Sequence, residues 1–169
     1  MSLRIAILTV SDRSARGERP DASGPALREQ VTALGWQVAR MEIVPDDLAT
    51  LKEVLARWSD SGDFDVILTT GGTGFAPRDV TPEATLAVVE RLAPGLAEAM
   101  RAESLKITPH AMLSRAAAGI RGRTLIVNLP GSPKAGRENL AVIQSVLPHA
   151  VQLLQDDPAS EAGHQHGGG

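Results

Sequence analysis

Apolar residues in this chain fall into short dense runs separated by polar, glycine-containing stretches, and the spacing within each run separates strands from helices. Arg4–Val10 places Ile5, Ala6, Ile7, Leu8 and Val10 almost without interruption, the pattern of a strand buried on both faces. Ser11 to Ser23 is polar. Gly24–Leu34 then has helical spacing, with Ser23 as its expected N-cap, Pro25 in the first turn and Gly35 at its end. Trp36–Val44 predicts a second strand, closed by Pro45. Asp47 is the expected cap of a helix over Leu48–Trp58, in which Leu48, Leu51, Leu55 and Trp58 share a face. Phe64–Thr70 predicts a third strand, followed directly by Gly71-Gly72-Thr73-Gly74. Thr81 is the expected N-cap of a helix running to about Leu92, with Pro82 at its first position, and Pro94 starts another that reaches Leu105. Ala111–Gly119 and Arg123–Asn128 predict a strand pair around a turn at Gly119–Gly122, and two helical stretches run from about Lys134 to Leu154.

Strands alternating with helices predict an α/β fold: a single three-layer domain with a mostly parallel sheet, helices on both faces, and a small β-hairpin addition. The domain is expected over residues 1–155. Residues 156–169, polar and glycine-rich with His164 and His166, are expected to form a disordered tail.

Composition narrows the function classes. Aromatic residues are few (Trp36, Trp58, Phe64 and Phe75) and the formal net charge is -3, so neither base-stacking platforms nor a broad phosphate-backbone footprint is expected, and no nucleic-acid partner. The chain has no Cys, which excludes disulfides, thiolate metal sites and Cys nucleophiles. No apolar stretch approaches the ~20 residues of a membrane span, and no signal-peptide pattern opens the chain; a cytoplasmic location is expected.

In open parallel α/β sheets ligands gather at the carboxyl ends of the strands. Ser11 and Asp12 follow the first strand, Asp46 the second, Gly71 to Gly74 and Asp79 the third, and Asn128, Pro130, Gly131 and Ser132 the last. Each Asp alone reads equally well as turn or cap chemistry. The three together, beside a glycine loop, point to a ligand. The Thr73 hydroxyl and successive backbone N–H groups of the loop form a candidate anion nest, although its spacing is neither the dinucleotide fingerprint nor a Walker loop. Asp46 and Asp79 suit Mg²⁺, which takes one or two carboxylates plus phosphate oxygens and water. Arg13, Arg78 and Lys134 are candidate phosphate neutralisers. Ser114 and Arg115, expected on a strand, are candidates for a phosphate or ring contact, or else a solvated strand edge. From residues alone the reading stops at an α/β protein that binds a phosphorylated ligand with Mg²⁺.

The run Thr69-Thr70-Gly71-Gly72-Thr73-Gly74-Phe75-Ala76-Pro77-Arg78-Asp79-Val80-Thr81-Pro82-Glu83-Ala84-Thr85 closely resembles the signature of the MoaB/Mog family, including bacterial molybdopterin adenylyltransferases and the gephyrin G domain. Thr9-Val10-Ser11-Asp12, Val44-Pro45-Asp46-Asp47, Met112-Leu113-Ser114-Arg115 and Asn128-Leu129-Pro130-Gly131-Ser132-Pro133-Lys134 are similar to further family motifs. The resemblance implies a homotrimer that adenylylates molybdopterin from Mg-ATP with release of pyrophosphate, ahead of a downstream molybdenum-insertion protein. It implies essential aspartates at Asp46 and Asp79 holding Mg²⁺. It also implies nucleotide contacts around Ser11-Asp12, Gly71 to Gly74 and Asn128 to Ser132, and a pterin contact at Ser114. The alternative is a non-catalytic MoaB-like carrier or scaffold that keeps the pocket without the reaction.

Overall fold

A computed structural model describes residues 1–156; the expected tail from 157 onward lies outside the described residues. Six strands, β1 (Arg4–Val10), β2 (Gln37–Val44), β3 (Val66–Thr70), β4 (Arg91–Leu92), β5 (Ala118–Arg121) and β6 (Thr124–Leu129), form one sheet in the order β2-β1-β3-β6-β5-β4. The neighbours among β2, β1, β3 and β6 pair in parallel, and β5 runs antiparallel to both β6 and β4. The expected hairpin is therefore an extension of the main sheet.

Alternation along the strands divides the core between two faces. Ile5, Ile7, Val66, Leu68, Leu125 and Val127 pack under α2 (Ser23–Ala33), α5 (Pro94–Leu105), α6 (Pro133–Ile143) and α7 (Leu147–Leu154) through Leu27, Val31, Met100, Leu140, Ile143 and Val151. Ala6, Leu8, Val10, Ile67 and Ile126 pack under α3 (Leu48–Asp60) and α4 (Thr81–Val88) through Leu51, Val54, Leu55, Trp58, Ala84 and Val88. A short α1 (Asp12–Ala15) follows β1. Full burial of such a side chain contributes about 1.5–3 kcal/mol, so the two sandwiched faces dominate stability.

Several local expectations are corrected. Ser23 is the first residue of α2 and not its cap; the Asp21 carboxylate accepts from the Ser23 and Gly24 N–H groups at 3.1 and 3.0 Å, which leaves the Ser23 hydroxyl to bond the Gly131 carbonyl. Thr81 likewise starts α4, and its buried hydroxyl donates to the Gly71 carbonyl at 2.9 Å. Helix α4 ends at Val88, short of Leu92, because Glu90 N–H and Ala93 N–H bond the carbonyls of Ile120 and Ala118 and draw Arg91–Leu92 into the sheet. The third strand starts at Val66; Asp65 before it is tied to the Arg4 guanidinium. The Asp47 cap is present, its carboxylate accepting from Thr50 N–H at 2.9 Å, but Leu48 is exposed and the buried face of α3 is Leu51, Val54, Leu55 and Trp58. Residues 111–117 are not a strand. Pro109–Leu113 is a 3₁₀ turn, capped by the Thr108 hydroxyl, and strand pairing begins only at Ala118.

Candidate active site

The strand order reverses at β1: the chain steps from β1 to β2 on one side, then crosses to β3 on the other. The crevice above such a reversal is the site an open α/β sheet offers. Registers Val10↔Val44, Thr9↔Thr70 and Thr70↔Leu129 bring four strand ends level, so the segments beginning at Ser11, Pro45, Gly71 and Pro130 share one rim. The Thr70 hydroxyl locks two of them by donating to the Pro130 carbonyl at 2.7 Å.

At this rim Asp12 and Asp46 exchange hydrogen bonds. Asp12 N–H donates to Asp46 Oδ2 at 2.9 Å, and Asp46 N–H donates to Asp12 Oδ1 at 3.0 Å. Arg78 closes the arrangement through both Asp12 carboxylate oxygens and the Asp46 carbonyl. Its guanidinium holds the Asp12 carboxyl below the ordinary carboxylate range. Burial pushes the Asp46 carboxyl up, against the Asp12 N–H bond, and the negative charges of Asp12 and Asp79 push it further. A carboxylate raised by burial and by like charge favours a cation beside it. Among the described residues no group of three or more His, Asp or Glu is arranged to hold a metal by protein ligands alone.

The glycine loop lets chain and carboxylates approach closely. Gly71 has φ 103°, and a Cβ there would lie 2.4 Å from the Val10 carbonyl oxygen. Gly72 has φ 69°, and a Cβ there would meet the Thr81 hydroxyl at 2.4 Å and Asp46 Oδ1 at 3.1 Å. The expected anion nest is shortened, because Gly71 N–H donates to the Leu129 carbonyl at 3.2 Å.

Two cavities share the loops 71–74 and 130–131 as walls. One, of about 330 Å³, has a polar wall that includes Thr9, Ser11, Ser14, Arg19, Asp21, Ser23, Asp46, Thr70, Gly71, Gly72, Asp79, Gly131 and Ser132. The other, of about 270 Å³, is more apolar and is lined by Thr73, Gly74, Arg101, Ser104, Ile107, Thr108, His110, Ala111, Leu113, Ser114, Pro130, Ala135, Glu138 and Asn139. Consecutive residues thus face different chambers: Gly72 and Gly131 one, Thr73 and Pro130 the other.

Three candidates support the walls. Arg115 lies in an irregular segment and not on a strand. Its Nε donates to the Gly74 carbonyl at 2.8 Å, its Nη2 to the Asp79 carbonyl at 2.7 Å, and its Nη1 to the Glu83 carboxylate. Asn128 is fully buried; its amide donates to the hydroxyls of Thr69 and Thr85 at 3.0 and 2.8 Å and accepts from Ala117 N–H at 3.1 Å. Ser132 caps α6 through Ala135 N–H at 3.1 Å. Arg78, engaged by Asp12, is not a free phosphate donor; Arg13 is exposed, and Lys134 lies 3.8 Å from Glu138. Sequence reading missed Arg101, His110 and Glu138, which stand on helical turns as ordinary polar positions, and Thr108, the cap of the 3₁₀ turn. It also missed Arg19 and Asp21, in a segment read as a plain loop.

Comparison with known proteins shows the family. The family described as "probable molybdopterin binding domain" matches residues 6–149. The chain belongs to this molybdopterin-binding family. It is 42% identical over 155 residues to the molybdopterin adenylyltransferase of Helicobacter pylori strain J99, covering 90% of this chain and 88% of that enzyme. It is 48% identical to the Drosophila melanogaster molybdenum cofactor synthesis protein cinnamon over 92% of this chain, but spans only 26% of that longer protein. A solved structure of the molybdopterin biosynthesis enzyme MoaB from Thermus thermophilus superposes with a TM-score of 0.86 at 53% identity, covering 92% of this chain and 98% of that one. The family fold is thus present over nearly all described residues.

Proposed function

We propose that this protein is a molybdopterin adenylyltransferase, a nucleotidyltransferase of molybdenum cofactor biosynthesis that transfers AMP from Mg-ATP to the molybdopterin phosphate and releases pyrophosphate. The observation that carries the proposal is the pair of cavities, one polar with Asp46 and Asp79 and one more apolar with Ser114, that share the 71–74 and 130–131 loops as walls. Two substrates that must react end to end fit such a pair. The likeness to bacterial enzymes of this activity over most of the chain supports the same reading.

In this reading ATP lies in the polar cavity, against Ser11, Gly71, Gly72, Gly131 and Ser132, and the pterin lies in the other, against Thr73, Gly74, Ser114 and Pro130. A phosphate oxygen of molybdopterin bonds to the α-phosphorus of ATP, and the bond from that phosphorus to the oxygen bridging to the β-phosphate breaks. Pyrophosphate leaves with that oxygen. The reaction joins two anions, so positioning and charge neutralisation are the main tasks. Asp46 and Asp79 fit Mg²⁺ and would hold it; when bound, the ion neutralises ATP phosphate charge. Asp12 fixes the Asp46 carboxylate, Arg115 fixes the Asp79 and Gly74 backbone, and Asn128 anchors β6 below the loop. Asp12, Arg115 and Asn128 act here as positioning residues.

The proposal extends to a homotrimer working in the cytoplasm and passing its product to a downstream molybdenum-insertion protein. No helix among the described residues is long and apolar enough to cross a membrane. Pyrophosphate release is the test, with wild type and Asp79→Asn compared. Release that requires molybdopterin, ATP and Mg²⁺ and disappears in the variant supports the enzyme. Pterin binding without release would move the reading to a carrier.

A further inference from the structure

We infer that Glu138 reads the amino-pyrimidinone edge of the pterin and is the specificity-determining residue of the more apolar cavity. This rests on the reading above, in which that cavity takes the pterin.

Among the described residues, Glu138 is the one carboxylate on the wall of this cavity. It stands on α6, half-buried, and its charged neighbour is Lys134 one turn earlier, at 3.8 Å, too far for a hydrogen bond. No described group donates a hydrogen bond to it. Two neighbouring polar groups of the wall, Arg101 and Asn139, are engaged within the protein. Arg101 donates to the carbonyls of Ser114 and Ala116 at 3.3 and 2.9 Å. The Asn139 amide donates to the Ala135 carbonyl at 2.8 Å and to Ser104 Oγ at 3.2 Å. The Glu138 carboxylate is left as the anionic acceptor of this wall for donors brought by a ligand.

Position fits this task. Ser132, at the start of α6, lines the polar cavity, and Glu138 lies six residues further, about 9 Å along the helix axis. Residue 138 is thus set back along α6 from the end of the helix that meets the polar cavity. A pterin presents the ring N3–H and the 2-amino group side by side, two parallel donors like those of a guanidinium. A carboxylate accepts such a pair with both oxygens. A 2,4-dioxo ring of the same size keeps N3–H but turns a carbonyl toward the carboxylate. It loses one bond and gains a repulsion.

The test uses 6-hydroxymethylpterin and 6-hydroxymethyllumazine as probes, titrated against the full chain by fluorescence. Adenylylation of molybdopterin is measured in parallel. Wild type should bind the pterin roughly 10- to 100-fold tighter than the lumazine, the range expected for one hydrogen bond to a charged group. Glu138→Gln should reverse the preference, because its amide can accept from N3–H and donate to the lumazine 2-carbonyl. Glu138→Ala should bind both weakly and alike. The position is partly exposed, so both variants should keep the wild-type melting temperature. If wild type adenylylates molybdopterin while Glu138→Gln still prefers the pterin as strongly, this inference is overturned and the proposed function stands. If wild type neither binds the pterin nor releases pyrophosphate, both readings fall together.

Discussion

Replacing Arg115 by Ala distinguishes a guanidinium that supports loops from one that grips a ligand. The side chain makes three sets of bonds: to the Gly74 carbonyl at 2.8 Å, to the Asp79 carbonyl at 2.7 Å, and to Glu83. The Glu83 pair is more than a third exposed on both sides, so its contribution is discounted to between zero and about 1 kcal/mol. The two carbonyl bonds come from a charged donor and contribute about 1.5 kcal/mol each at the low end of their range. The expected loss is therefore roughly 3 kcal/mol, or a melting temperature about 6–12 °C lower for a domain of this size. Activity should fall further than stability, because the Asp79 and Gly74 segments lose a shared anchor. In kinetic terms, kcat should drop while the KM for ATP changes little. Arg115→Lys should recover little of either, since an ammonium cannot span three acceptors set around a planar fork. Differential scanning fluorimetry and pyrophosphate release measure both effects. An Arg115→Ala protein with unchanged melting temperature and a KM for ATP raised at constant kcat would refute the clamp, and would mean that the guanidinium serves the nucleotide directly.

Further outcomes follow from the same geometry. Asn128→Ala should cost about 2–4 kcal/mol in urea unfolding, because Thr69, Thr85 and Ala117 lose a buried partner; a cost below about 1 kcal/mol would contradict its bridging role. Gly72→Ala should abolish pyrophosphate release, since the added Cβ meets Thr81 and Asp46, whereas Gly122→Ala, also at positive φ but in open space, should cost only about 1–2 kcal/mol and keep activity. Asp46→Asn should end turnover yet be more stable than wild type at neutral pH without Mg²⁺. An acid whose folded pKa is raised stabilises least when ionised, so the difference should be largest above that raised pKa and vanish below the ordinary Asp range, as pH-dependent unfolding would report. Normal turnover in Asp46→Asn would remove the paired carboxylates from the reaction.

The legibility of this protein in its sequence varied with the range of the interactions concerned. Three of the parallel strands were readable because a strand buried on both faces must be apolar at nearly every position, as in Arg4–Val10 and at Leu125-Ile126-Val127. The rim was readable too, because aspartates and a glycine loop directly follow the strands whose ends the registers bring level. What could not be read was who bonds whom. Ser23 and Thr81 look like caps by local pattern, yet both hydroxyls are claimed by carbonyls of the site, Gly131 from far along the chain and Gly71 from the preceding loop. Arg115 looks like a ligand contact until the 74, 79 and 83 backbone and side chains close around it. Arg91–Leu92 has the composition of a helix end and becomes a strand only because β5 offers it an unpaired edge. The more apolar cavity is the clearest case. Glu138 is spaced like any solvated helix position, and only the packing of α5, α6 and the 3₁₀ turn around Ser114 turns that face into a wall. Hydrophobic periodicity and turn chemistry are local and leave their mark on the sequence, whereas the pairing of polar groups across the fold is decided by tertiary contact, and that contact separates a bonded side chain from one free to meet a substrate.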